Sequence, residues 1–275
     1  MIKKIGICGV GFVGSAIYAF FSTDDQFELI LHDKYKSGNP LFSASLRDLT
    51  TCDLIYVCLP TPFVEKNGFQ TEEIELVLAE LAEFEYPGII LIKSTVLPPF
   101  CRTMSQRHPY LTIIHNPEFL SAATAVQDFQ EQKHIVLGYC SDASQFMVNT
   151  VAAFYESLFP LATVSVTNAE TSALVKLACN SFYATKVQFF TELFLLCEKD
   201  KEGTDFALVR RLMLKNEWIN ERHTLVPGPD GRISFGGACF PKDLQALISY
   251  MDSHSNSCQV LKAVSEEQKE MRNVI

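Results

Sequence analysis

No two of the nine cysteines form a C-x-x-C pair, and none clusters with histidine, which removes the common zinc and dithiol signatures. No metal site is expected. There is no basic run either: 23 Lys+Arg stand against 32 Asp+Glu, for a formal charge of -9. A nucleic-acid binder that neutralises phosphates needs the opposite balance. Low-complexity tracts and internal repeats are missing, and 48% of residues are apolar against 20% charged, so disorder, collagen and coiled coil are excluded as the main architecture. The uncharged run Ile5–Phe21 falls just short of the roughly 18 residues of a membrane span. Its glycines at 6, 9, 11 and 14 suit a strand and a tight turn, so neither a secretory leader nor a membrane anchor is expected. An odd number of thiols in a chain too long to need covalent staples reads as reduced cysteine in the cytoplasm.

The 275 residues suffice for two ordinary domains, or one large α/β domain with an appendage. Short apolar runs at Lys4–Cys8, Glu28–His32, Leu54–Cys58, Ile89–Ile92, Thr112–Ile114, His134–Leu137 and Ala162–Val166 alternate with amphipathic or turn-like stretches. That rhythm predicts βαβ units and a mainly parallel, doubly wound sheet of Rossmann type over residues 1–166. An all-helical domain over 167–275 follows. Asn168–Lys199 has no Gly or Pro, and Leu174, Leu177, Ala178, Phe182, Phe189, Leu193 and Leu196 recur at helical spacing. Some 30 helical residues run about 45 Å. Such a rod can join two subunits, and a homodimer through 168–199 is expected; the alternative is an internal core helix. Helices over Asp205–Asn216 and Lys242–Met251 flank the Pro/Gly-rich loop Val226–Phe240.

Two motifs carry the chemistry. Gly9-Val10-Gly11-Phe12-Val13-Gly14 follows a predicted strand and opens a predicted helix. This is what a tight turn, backbone approach to a pyrophosphate and close helix–strand packing demand. The helix start adds positive potential for phosphates. Asp33 ends the next strand, 19 residues after Gly14, where a carboxylate bonds the ribose hydroxyls of NAD and repels the extra phosphate of NADP. A glycine turn in a sugar- or flavin-binding domain is the bland alternative. The second motif is Gly236-Gly237-Ala238-Cys239-Phe240-Pro241-Lys242-Asp243. Pro241 suits a first helical position, so Cys239 falls at a helix N-terminus near Lys242, where a thiolate is favoured. Cys8, Cys52, Cys58, Cys179 and Cys197 fit the ordinary role of small apolar residues. An NAD fold with an activated thiol suggests an alcohol oxidation that continues past the aldehyde: the thiol captures the aldehyde, and the adduct is oxidised to a thioester that water releases as an acid.

Assembled in order, these motifs and Leu59-Pro60-Thr61-Pro62, Lys93-Ser94-Thr95-Val96, Asn116-Pro117-Glu118-Phe119-Leu120 and Lys176–Asn180 give a sequence that resembles the UDP-glucose/GDP-mannose dehydrogenase family. Phe240 before Pro241 is closer to the UDP-glucose branch. The resemblance implies NAD as cofactor, held by Gly9, Gly11, Phe12, Val13, Gly14, Asp33, Thr61, Pro62, Ser94, Thr95 and Lys242. It also implies a nucleotide-sugar substrate, most simply UDP-glucose. Cys239 would be the nucleophile, and Lys176 and Asn180, one helical turn apart, would stabilise oxyanion character at the sugar C6 and hold water. Asp243 and Thr95 match residues that position water, and Glu118 matches the carboxylate of thioester hydrolysis. Glu118, Phe119, Leu120, Lys176, Asn180, Arg222, Phe235 and Gly236 fall at substrate positions. Structural alternatives are a solvated helix charge for Lys176 and a helix-start carboxylate for Glu118.

Two features depart from the family. The position four after Glu118, usually acidic, is Ala122. Relatives also carry a third domain that grips the nucleotide, whereas this sequence stops 36 residues after Cys239, near the end of the expected linking helix. Loss of that remote binding energy would weaken orientation of the reacting centre. Besides the two-step enzyme, a non-enzymatic NAD or nucleotide-sugar module and a one-step β-hydroxyacid dehydrogenase therefore stay open.

Overall fold

The computed structural model describes residues 2–36, 38–65, 68–200 and 202–273. They form two compact units, residues 1–176 and 177–275.

The first unit is built on β1 (Lys4–Cys8), α1 (Phe12–Phe21), β2 (Glu28–His32), a 3₁₀ turn at Pro40–Phe42, α2 (Leu46–Leu49) and β3 (Leu54–Val57). A small hairpin, β4 (Phe63–Val64) with β5 (Gly68–Phe69), precedes α3 (Glu72–Glu83) and β6 (Ile89–Ile92). Then come α4 (Phe100–Arg107), β7 (Thr112–His115), α5 (Ala125–Gln130), β8 (His134–Tyr139), α6 (Asp142–Leu158) and β9 (Thr163–Asn168). Seven strands form one sheet in the order β2-β1-β3-β6-β7-β8-β9. All neighbours are parallel except β7 and β8. The sheet is the doubly wound Rossmann type that the alternation predicts.

Strand residues distribute by parity because successive side chains point to opposite faces. Ile5, Ile7, Leu54, Tyr56, Ile89 and Leu91 pack on one face with α1, α5 and α6. Cys8, Ile55, Val57, Ile90 and Ile92 pack on the other with α2, α3 and α4. Burial on both faces is why these strands read as unbroken apolar runs. In α3, Ile74, Val77, Leu78 and Leu81 form the buried stripe, and Glu72, Glu73 and Glu75 in its first turn complement the helix dipole. The chain leaves β1 and β3 on opposite sides of the point where strand order reverses, so the loops after them border the crevice that doubly wound sheets use for ligands.

The long helix α7 (Ala169–Lys199) starts in this unit. Gly138 of β8 permits the approach: a Cβ there would lie 2.7 Å from the Ser172 Cβ and 2.8 Å from the Ala169 Cα. The remainder of α7, with α8 (Phe206–Leu214), α9 (Phe240–Ser253) and α10 (Gln259–Asn273), makes the second, helical unit. Ala184, Phe235, Leu244, Ile248, Cys258 and Val264 are its core. Among the described residues no helix is long and apolar enough to cross a membrane.

Candidate active site

Each glycine of the first turn has a distinct physical reason. Gly9 takes φ +89°, and a Cβ on it would lie 2.8 Å from the Cys58 carbonyl oxygen. A Cβ on Gly14 would meet the Gly9 carbonyl oxygen at 2.0 Å, so only glycine lets α1 sit this close to β1. Gly11 is different: nothing lies within 4 Å of its would-be Cβ, and it is the N-cap of α1 with no side-chain cap. The turn therefore presents open backbone and uncapped helix N–H groups, the requirement for a pyrophosphate. Phe12 is exposed and Val13 half-buried in that first helical turn. Asp33 closes the arrangement, one carboxylate oxygen accepting from Val10 N–H (2.8 Å) and the other from Tyr35 N–H (3.0 Å). Lys36 Nζ donates to the Val10 carbonyl at 2.5 Å. Glycine spacing, open helix start and a carboxylate at the end of β2 fit an NAD molecule.

The loops after β3 and β6 are tied to each other. Thr61 Oγ1 donates to the Thr95 carbonyl and Ser94 Oγ to the Leu59 carbonyl, both at 2.7 Å. Thr61, Ser94 and Thr95 are buried, and the Pro62 carbonyl accepts from Gln70 N–H at 2.8 Å.

Beyond them lies an unusual density of buried charge. Lys176 Nζ donates to Glu118 Oε1 at 2.8 Å, with side chains 3% and 10% exposed. Glu118 Oε2 accepts from Leu120 N–H at 2.6 Å, and Lys176 Nζ is 5.4 Å from the Phe119 ring centroid. Burial works to raise the Glu118 pKa, but Lys176, the Leu120 N–H and Lys93 outweigh it and hold the carboxyl below its ordinary value. Lys93 is itself buried and donates to Asn116 Oδ1 at 3.1 Å; burial pulls its pKa down to about 8. His115 is fully buried, its Nδ1 2.8 Å from Ser172 Oγ. Burial, then the Lys93 charge, push its pKa down to about 3, so the ring is neutral.

In the helical unit, Asn180 follows Lys176 by one turn of α7. Its Nδ2 donates to Asp243 Oδ2 at 2.6 Å, and Lys242 Nζ donates to Asp243 Oδ1 at 2.5 Å. Asp243 is completely buried. Cys239 is exposed and is the N-cap of α9, with Pro241 in the first turn; its carbonyl accepts from Asp243 N–H at 3.0 Å. Two turns of backbone at positive φ, Ser234 and Gly237, shape the loop before it. Phe235 has its ring in the core, and a Cβ on Gly236 would lie 3.1 Å from Arg272 Cζ. Arg222 is exposed, its N–H bonded to Asn220 Oδ1 at 2.8 Å. Phe240, next in sequence to Cys239, meets His223 edge-on (5.3 Å), and His223 stacks on Tyr183 (4.9 Å).

Thus Thr61, Ser94 and Thr95 are brought together, as are Glu118 and Lys176, and Asn180, Lys242 and Asp243. Sequence reasoning gave no role to Lys93, His115, Tyr155, Tyr183 or His223. Lys93 had a readable signal: a lysine directly after Ile89-Ile90-Leu91-Ile92 is the same charge-among-apolar pattern that marks Lys176.

These features define an NAD-binding α/β protein with a helical second unit. Comparison with known proteins makes this specific. The NAD binding domain of the UDP-glucose/GDP-mannose dehydrogenase family matches residues 27–159, and the family's central domain matches 170–269. The chain belongs to this family, whose members are NAD-dependent nucleotide-sugar dehydrogenases. It is 33% identical over 233 residues to the UDP-glucose 6-dehydrogenase of Rickettsia conorii, covering 81% of this chain and 50% of that one. Against the Pseudomonas aeruginosa UDP-glucose 6-dehydrogenase it is 28% identical over 260 residues, covering 89% and 55%. The chain thus spans about half the length of the curated relatives it matches. Its fold is shared with a UDP-glucose dehydrogenase from Pyrobaculum islandicum (TM-score 0.81, 20% identity, 98% of this chain and 68% of that one). It is also shared with a 3-hydroxyisobutyrate dehydrogenase from Mycobacterium tuberculosis (TM-score 0.77, 15% identity, 100% of this chain and 95% of that one).

Proposed function

We propose that this chain oxidises the C6 alcohol of a nucleotide sugar, most simply UDP-glucose, to the carboxylate in two steps, with Cys239 as nucleophile. The observation that carries the reading is the exposed Cys239 at the N-cap of α9, one helical turn from the Asn180–Asp243 hydrogen bond. Bound NAD accepts a hydride in each oxidation. The Gly9–Gly14 turn and Asp33 hold it, with Thr61, Pro62, Ser94 and Thr95 on the nicotinamide side, and Lys242 is assigned to it as a further contact.

Lys176 and Asn180 face the C6 oxygen as it takes up negative charge, which favours loss of its proton. The Cys239 thiolate adds to the resulting aldehyde carbon, and the new hemiacetal oxygen takes a proton. Removal of the second hydride from that carbon, with loss of the hydroxyl proton, leaves a thioester. Water held by Thr95 and Asp243, and deprotonated toward Glu118, attacks the thioester and expels the Cys239 thiolate. Two NAD are reduced and one water consumed per sugar. Phe119, Leu120, Arg222, Phe235 and Gly236 contribute the remaining substrate contacts, the buried Phe235 through its backbone. Residues 1–166 serve as the NAD domain and 167–275 as the substrate and dimer domain. The homodimer forms through α7, whose exposed Phe182, Phe189 and Leu196 repeat every seven residues on one stripe. Nine free cysteines suit the reducing cytoplasm.

The test is NADH counted per sugar consumed. Two, falling to no more than one in Cys239→Ser, supports the thioester route; one in the unaltered chain supports the one-step β-hydroxyacid reading. None, with NAD still bound, supports a binding module.

A further inference from the structure

We propose that Lys93 is a positioning residue of the reaction centre: through Asn116 it holds the Asn116-Pro117-Glu118 turn so that Glu118 meets Lys176. The proposal rests on the reading above for what the Glu118–Lys176 pair does, but not for how the pair is held. Lys93 directly follows β6, a strand whose four residues are all buried, and is itself only 4% exposed. An ammonium taken out of water is retained only where its surroundings return what hydration gave. Here the direct acceptor is a neutral amide, Asn116 Oδ1 at 3.1 Å.

Both the oxygen and the nitrogen of that amide are engaged. Its Oδ1 also accepts from the Tyr155 hydroxyl at 2.6 Å, and its Nδ2 donates to the Val136 carbonyl at 2.9 Å. Asn116 therefore has one orientation, gripped from β6, β8 and α6 at once. Pro117, with φ fixed by its ring, carries that orientation to Glu118, the next residue. The groups facing Lys93 are Cys58 from the end of β3, His115 and Asn116 from β7 and its exit, Glu118 from the turn, Tyr155 from α6 and Lys176 from α7. Glu118 is the carboxylate among them, so both lysines pull on one anion. With His115 neutral, the three ionised groups carry one surplus positive charge in a buried place, which suits a reaction that develops an oxyanion.

A lysine that merely fills the sheet end would be replaced without loss by methionine, which keeps the length of the stem. If Lys93 positions the turn, Lys93→Met lowers kcat at least tenfold while the KM for NAD stays within twofold. It also removes an alkaline limb near pH 8 from the kcat profile. Full kcat with an unchanged pH profile in Lys93→Met overturns the proposal. Should that variant fail to fold, the unaltered chain labelled with ¹³C at lysine Cε gives a second test. One lysine should titrate near pH 8, and Glu118→Gln should move that midpoint lower, because the neighbouring anion is gone. If every lysine titrates above pH 10, or if Glu118→Gln has no effect, the coupling is absent and the proposal fails. An unaltered chain that reduces no NAD with any nucleotide sugar sinks the functional reading instead and leaves the titration standing as the test of Lys93.

Discussion

In residues 1–176 the Glu118–Lys176 pair, proposed to act on the substrate, is buried, whereas in residues 177–275 Cys239, the proposed nucleophile, is exposed. Glu118 and Lys176 have their partners before any ligand arrives; Cys239 is exposed at the start of a helix. The difference follows from what each group must do. A charge pair that stabilises an oxyanion works best when fixed in advance and screened from water. A nucleophile has to be reached by the carbon it attacks. The two regions should accordingly fail in different currencies when altered, one in stability and the other in chemistry.

The sharpest break of that contrast is Cys239→Ser. The side chain is exposed and makes no cap bond, and serine is a preferred N-cap residue, so unfolding free energy should change by no more than about 0.5 kcal/mol. The second oxidation should fall on the order of 10³-fold or more, since a nucleophile acting as part of a unit is lost. Stopped-flow NADH formation and a denaturant melt on the same sample check both halves. Next in size is Lys176→Met, which leaves the buried Glu118 carboxylate without the cation bonded to it. A loss of about 3–5 kcal/mol is expected, together with loss of turnover. The double variant Lys176→Met/Glu118→Gln should recover part of the stability and none of the activity, a coupling that a double-mutant cycle measures.

The third prediction uses pH. His115 is buried neutral, its pKa pushed from an ordinary 6.5 down to about 3. Between those values the unfolded chain binds a proton that the folded chain does not, so stability is full above pH 6.5 and declines as pH falls toward 3. The slope from this group approaches about 1.4 kcal/mol per pH unit. His115→Gln should flatten the acid side of the stability–pH curve by that amount; an unchanged curve would mean that the ring is hydrated.

Much of this architecture is legible in the chain because burial on both faces writes itself as continuous apolar strands, such as Leu54–Val57 and Ile89–Ile92. Strand edges differ from expectation by a residue or two, as at β7, β8 and β9. The reversed direction of β8 relative to β7 leaves no mark, since a parallel and an antiparallel strand buried alike have the same residues. The β4–β5 hairpin is two residues per strand, too short for any period to register. Helix α10 is expected only as a family linker: Val260, Leu261, Ala263 and Val264 are its few apolar positions before Met271, a stripe too sparse to stand out. In the site, the glycine turn and Cys239 are readable because backbone geometry and helix starts restrict residue choice. The Asn180–Asp243 bond spans 63 positions in sequence, and no local pattern encodes such a pairing. Lys93 does not stand out in the sequence because a lysine after a strand is ordinarily a solvated end.

The smallest effect tests whether the order of the first unit extends to the loops beside the glycine turn. Thr61 Oγ1 donates to the Thr95 carbonyl at 2.7 Å in a buried setting. Valine has the same shape without the hydroxyl, so Thr61→Val deletes one hydrogen bond and leaves one buried carbonyl without that donor. A loss of about 1–2 kcal/mol is expected, roughly a third of the Lys176→Met cost. Because Thr95 is proposed to hold water, kcat should fall with it while NAD affinity stays close to the starting value. A variant that loses the stability but keeps kcat would restrict the Thr61–Thr95 link to a brace between the β3 and β6 loops. The pre-set order of the first unit would then end at Glu118 and Lys176.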